Sequence, residues 1–154
     1  PKNIKRDAST LVSEGRKYNA MNKLAFIGGT GVYDAGILSD IRSEIINTPF
    51  GQAACQIGYF KGKEIVFLAR HGTGHTIPPH KINYRANIYA LKMLEVSSIV
   101  STTAVGSLNP EYKPGELVLI DQFLDMTKSR NGTFFDGEFR GVAHIDMTNP
   151  YCQP

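Results

Sequence analysis

The 154-residue sequence has no apolar run approaching the roughly 18 residues that a membrane span requires. Its polar start, with Lys2, Lys5 and Arg6, also lacks the apolar segment of a signal peptide. A cytoplasmic protein with no membrane partner is the expectation. Cysteine is scarce: Cys55 and Cys152 lie far apart in the chain, which argues against a disulfide framework and predicts two reduced thiols. Asn131-Gly-Thr133 fits a glycosylation sequon, a reading that carries no force without secretion. The body of the chain also lacks any excess of one charge. The net +3 arises within residues 1–20, where Lys2, Lys5, Arg6, Arg16 and Lys17 outnumber Asp7 and Glu14, and the remainder is balanced. Nucleic acid is therefore not an expected partner. A composition of 42% hydrophobic and 20% charged residues is that of an ordinary globular domain with a sizeable core.

Several motifs of known chemistry are missing as well. Gly28-Gly-Thr-Gly31 has neither the GxGxxG spacing of dinucleotide folds nor the GK[ST] ending of a P-loop, so the residues alone leave a tight turn and a phosphate cradle equally open. His71, His75 and His80 have no neighbouring carboxylate, and Gly72 and Gly74 spoil a helical presentation of the first two, so no metal is expected. Asp121 and Asp125 form the only acidic pair of note, and a strand-to-loop setting predicts solvation or ion pairing rather than a catalytic dyad.

What is present is a set of strands ending in anion-binding chemistry. An apolar stretch, residues 64–69, runs directly into Arg70-His71 and a glycine-broken loop. A guanidinium offers a planar fork that matches phosphate oxygens, and an adjacent imidazole can bond a further oxygen. The bland alternative is a structural salt bridge with a capping histidine. Residues 22–27 read as a buried strand leading into the glycine loop, where Thr30 adds a hydroxyl to the backbone amides. Residues 98–103 read as another strand ending in Thr102-Thr103-Ala104, where a hydroxyl and the next backbone N–H could face the same anion, although β-branched residues also suit a strand for its own sake. Ligands gather outside the carboxyl ends of strands in open α/β sheets, so three loops could share one oxyanion.

Between these segments, shorter strands are predicted near residues 44–47 and 54–59, and Lys61-Gly62 predicts a hairpin. Pro78-Pro79 blocks a helix until Asn83, a candidate cap. Tyr84, Ile88, Leu91 and Leu94 then recur at helical spacing, predicting about three turns with that face on the sheet. Strand, helix and strand make a βαβ unit, hence a mixed or parallel α/β sheet flanked by helices. Pro114-Gly115 predicts a turn, residues 116–120 a further strand and residues 129–142 a long loop. Residues 1–20 show no clean period and are expected to be an extension preceding a single domain over 21–154. The chain closes without a final helix or strand, which predicts a truncated fold with an apolar face left uncovered, prone to association.

The ordered phrases Ile27-Gly-Gly-Thr-Gly31, Thr48-Pro-Phe-Gly51, Phe67-Leu-Ala-Arg-His-Gly72, Pro78-Pro-His-Lys-Ile-Asn-Tyr-Arg-Ala-Asn87, Thr102-Thr-Ala-Val-Gly-Ser107, Asp121-Gln-Phe-Leu-Asp-Met-Thr127 and Thr133-Phe-Phe-Asp-Gly137 resemble the amino-terminal half of methylthioadenosine phosphorylases, within the purine nucleoside phosphorylase superfamily. The resemblance implies a purine nucleoside phosphorylase-like fold assembled as a homotrimer. It implies a phosphate site of Thr30, Arg70, His71, Thr103 and Ala104, and places His144, in the phrase Arg140-Gly-Val-Ala-His144, over the sugar's 5′ substituent of the adjacent subunit's substrate. The implied reaction is phosphorolysis of methylthioadenosine, with inorganic phosphate as co-substrate and no metal or organic cofactor. The later threonine, methionine and adenine-reading aspartates of the family have no counterpart in these residues. A sister enzyme for methylthioinosine or other 6-oxopurine nucleosides is the nearest rival, and a non-catalytic nucleotide-binding module or an inactive fragment are the others.

Overall fold

The computed structural model describes residues 23–29, 32, 35–138 and 141–152; the expected extension over residues 1–20 lies outside them. One five-stranded sheet is built from β1 (Leu24–Gly28), β2 (Ser39–Thr48), β3 (Gly51–Phe60), β4 (Lys63–Ala69) and β5 (Ser98–Ser101), in the spatial order β2-β3-β4-β1-β5. β1 runs parallel to β4 and β5, whereas β2, β3 and β4 form an antiparallel meander. The sheet is therefore mixed, as expected.

β4 is buried along Ile65, Val66, Phe67 and Leu68, the continuous apolar run of a central strand covered on both faces. β3 instead alternates, burying Ala53, Cys55 and Ile57 on one face. The Cys55 thiol is free, and burial, helped by the nearby Glu44 charge, pushes its pKa up to about 11. The hairpin at Lys61-Gly62 has positive φ at both residues, 48° and 75°, the backbone that a tight two-residue connection demands.

α1 (Tyr84–Met93) connects β4 to β5. Asn83 caps it by accepting from Ala86 N at 3.1 Å, and its Nδ2 donates to Phe50 O at 2.6 Å, pinning the β2–β3 turn to the helix start. The expected buried stripe is wrong in detail. Ala86, Ala90 and Leu91 face the core, while Tyr84 and Ile88 are more than a third exposed. Alanines let the helix approach the sheet closely, which turns the larger side chains sideways. A single 3₁₀ turn, Pro79–Lys81, also forms where the prolines were expected to exclude any helix; Pro79 is tolerated because the first turn's N–H groups have no intrahelical partner.

β2 is longer than expected. It is an edge strand with a register shift between Ser39 and Arg42, and its polar residues are exposed or half-buried. Arg42 bonds both Glu44 (2.8 Å) and Glu64 (2.9 Å), and Lys23 reaches Glu64 at 2.5 Å, lacing β2 and β4 to the residue that enters β1. Those cations, through hydrogen bonds to its carboxylate, hold the Glu64 pKa below its ordinary value.

The expected strand over residues 116–120 does not form. The turn at Pro114-Gly115 is present, with Glu116 N donating to Lys113 O at 3.2 Å, but Leu117 and Leu119 are fully exposed and no β-ladder pairs this segment among the described residues. An extended segment becomes a strand only when another backbone accepts its hydrogen bonds. Residues 129–138, expected as loop, have neither helix nor strand.

Candidate functional site

The convergence of strand ends follows from register. Gly28 pairs with Ala69 and Ile27 with Ser101, so β1, β4 and β5 terminate side by side. The next residues stay together: Arg70 N donates to Gly28 O at 3.2 Å, and Thr102 N donates to Ile27 O at 3.0 Å.

Arg70 then reaches across β1 to the end of β5. Its Nη1 donates to Thr102 O at 2.6 Å and its Nη2 to Thr103 Oγ1 at 3.1 Å. Strand β5 stops at Ser101 rather than the expected residue 103, and Thr102, still bonded to β1 through its N–H, turns its carbonyl to the guanidinium. Thr103 Oγ1 accepts from Arg70, leaving its own O–H to donate elsewhere. Gly29 makes the arrangement possible, since a Cβ there would lie 2.3 Å from Arg70 Nη2. The guanidinium therefore lies flat over a glycine, anchored on one side with its remaining N–H groups available.

His71 is 5% exposed, and its Nδ1 lies 2.9 Å from Ile77 O. Ile77 N returns a bond to His71 O at 2.8 Å, closing the loop on itself. Gly72 (φ 73°) and Gly74 (φ 79°) supply its left-handed turns, and the His75 ring stacks on His71 with centroids 4.7 Å apart. The capping reading of His71 thus accounts for one ring nitrogen and leaves the other. No group of three or more side chains able to hold a metal occurs among the described residues.

Arg70, His71 and Thr103 share the sheet's carboxyl end. Ala104 follows in an exposed segment, and Thr30 lies outside the described residues. His144 is exposed within residues 141–152, and no hydrogen bond or ion pair joins it to this cluster among the described residues. Asp125 accepts from Thr127 N (2.9 Å) and Thr127 Oγ1 (2.7 Å), a local turn that holds its carboxylate below the usual pKa range.

A family comparison decides what kind of chain this is. Residues 23–154 match the model of the phosphorylase superfamily. The chain belongs to that superfamily. It is 55% identical to a probable 6-oxopurine nucleoside phosphorylase of Moorella thermoacetica, over 84% of this chain and 50% of that one. It is 51% identical to the S-methyl-5′-thioadenosine phosphorylase of Saccharolobus solfataricus, over 87% of this chain and 50% of the other. Methylthioadenosine phosphorylase from Schistosoma mansoni in complex with adenine superposes with a TM-score of 0.78 at 37% identity, covering 84% of this chain and 49% of that structure. The chain thus spans about half the length of the curated relatives it matches.

Within this phosphorylase-superfamily half, a second cluster escaped sequence reasoning. Arg85 pairs with Asp136 at 2.7 Å and lies over the Phe50 ring at 4.8 Å, while Phe50 meets Phe134 edge-on at 5.4 Å. These contacts fasten the loop over residues 133–136 to α1 beside a cavity of about 280 Å³ lined by Tyr84, Ile88, Asp125 and Arg130. The phrases containing Phe50 and Phe134 signalled resemblance without assigning a role. Gly29, Thr102 O and Ile77 O were likewise missed, because they act through backbone atoms or through absent side chains.

Proposed function

We propose that this chain is the amino-terminal part of a purine nucleoside phosphorylase that converts S-methyl-5′-thioadenosine and phosphate to adenine and methylthioribose-1-phosphate. The observation that carries the proposal is the Arg70 fork anchored on Thr102 and Thr103 where three strand ends meet, in a chain of the phosphorylase superfamily. Arg70, His71, Thr103, the Ala104 N–H and Thr30 hold the phosphate. A phosphate oxygen attacks the anomeric carbon as the C–N bond breaks, and the base leaves with the electron pair and takes up, through solvent, the proton that the new phosphate monoester releases. The nucleophile is the co-substrate, so the protein supplies position and charge rather than a carboxylate dyad, and the phosphate dianion supports the oxocarbenium-like transition state. Neither metal nor organic cofactor takes part. The enzyme works in the cytoplasm as a homotrimer in which His144 reaches the neighbouring subunit's sugar.

A second reading takes 6-oxopurine nucleosides or methylthioinosine as substrate. It is favoured by relatives of that description at 55% and 56% identity, against 54% and 51% for methylthioadenosine phosphorylases. The deciding experiment is phosphate-dependent base release from methylthioadenosine, methylthioinosine and inosine. It is run with the 154-residue chain and with the chain extended by its native downstream sequence. Adenine release by the extended chain alone supports the first reading and an incomplete site in the shorter one. Hypoxanthine release without adenine release selects the second, and no phosphorolysis of any substrate refutes both.

A further inference from the structure

We infer that the backbone carbonyl of Ile77 fixes the tautomer of His71 and thereby sets the protonation state in which the site accepts an anion. The inference rests on the reading of Arg70 and His71 as phosphate ligands. A carbonyl oxygen only accepts, so His71 Nδ1, 2.9 Å from Ile77 O, carries the hydrogen. The partner cannot easily withdraw: Ile77 N bonds back to His71 O, and a Cβ at Gly72 would already press on Thr76 Oγ1 at 3.0 Å and Ile77 Cδ1 at 3.2 Å. The ring is buried and covered by His75, so exchange to water is hindered.

Nε2 is then the nitrogen with which His71 meets an anion. Neutral, it offers a lone pair, which repels an unprotonated oxyanion and suits an oxygen that bears a hydrogen. Protonated, it donates. Phosphate satisfies both cases, because monoanion and dianion alike bring an O–H to neutral imidazole and their unprotonated oxygens accept from imidazolium. Either way one proton lies between Nε2 and a phosphate oxygen. Sulfate has no proton to bring near neutral pH and needs the imidazolium. The charged or titratable groups around the ring among the described residues are Arg70 beside it in the chain and His75 stacked on it. The ends of β1 and β5 contribute the neutral Gly29, Thr102 and Thr103.

The test uses the chain extended by its native downstream sequence, with ring ¹⁵N NMR and calorimetry of inorganic sulfate and phosphate between about pH 6 and 9. Expected are a neutral His71 protonated at Nδ1 and sulfate affinity falling about tenfold per pH unit above the imidazole pKa. Phosphate should resist to higher pH. His71→Gln, whose amide donates without titrating, should flatten the sulfate profile, while His75→Asn should leave its slope intact. A neutral ring protonated at Nε2, or sulfate affinity independent of pH in the wild type, overturns the inference while Arg70-dependent phosphate binding keeps the site. Loss of any Arg70-dependent anion binding refutes the phosphate reading itself, and this inference with it.

Discussion

Two apolar segments of this chain have similar sequences and opposite fates. Residues 65–68, Ile-Val-Phe-Leu, are buried in the middle of the sheet, whereas residues 117–120, Leu-Val-Leu-Ile, are exposed and unpaired among the described residues. Propensity does not separate them, since both are rich in strand-forming residues. Position does. β4 lies between β3 and β1, which accept its hydrogen bonds on both edges, and α1 covers the core face. The later segment follows β5, whose four residues are all exposed at the sheet's margin. The lesson is that residues 24–101 hold most of the cohesion and residues 102–152 mostly the surface.

That contrast can be broken most severely in the core. Leu68→Ala, at 2% exposure, should destabilise the fold by about 2–5 kcal/mol in urea denaturation, because it leaves a cavity under α1. Leu119→Ala, by the same measure, should change stability by less than about 0.5 kcal/mol. A large effect at Leu119 would show that residues 116–120 are packed in solution.

Next in size is the helix start. Asn83→Ala removes both the cap of α1 and the bond to Phe50 O, and should cost about 1–2 kcal/mol. Asn83→Asp keeps the acceptor and loses the donor, so it should recover roughly half of that. Equal losses would mean that the bond to Phe50 dominates.

The smallest expected effect lies at the edge of the meander. The folded-state pKa of Glu64 is lowered by its bonds to Lys23 and Arg42, so its contribution is present above the ordinary carboxylate value of 4.5 and is lost as pH falls through the folded value. Partial exposure keeps it to about 0–1 kcal/mol. Glu64→Gln should therefore narrow the stability difference between pH 7 and pH 3, and an unchanged difference would remove this network from the account.

The legibility of the chain follows the same divide. Strands β1, β3 and β4 were readable because their apolar residues lie in contiguous or alternating runs, and Lys61-Gly62 marked its own turn. Strand β2 was underestimated because an edge strand can carry Asp40, Arg42 and Ser43 without penalty. The strand over 116–120 was overestimated because pairing is a property of the neighbour, not of the segment. In α1 the period was right and half of the face was: Leu91 and Leu94 pack on the core, while Ala86 and Ala90 take the places expected of Tyr84 and Ile88. At the site, Arg70, His71 and Thr103 were visible as side chains of the right chemistry. Gly29, Thr102 O and Ile77 O had no such signal, because backbone positioning appears only when the strand ends are brought into register.

The measurement that tests the central claim most directly is steady-state phosphorolysis by Arg70→Ala in the chain extended by its native downstream sequence, with phosphate as the varied substrate. Loss of the anchored fork should raise the phosphate KM and lower kcat/KM by about 10²-fold, while the thermal unfolding profile stays close to wild type. Phosphorolysis left nearly unchanged in a folded Arg70→Ala protein would contradict the account.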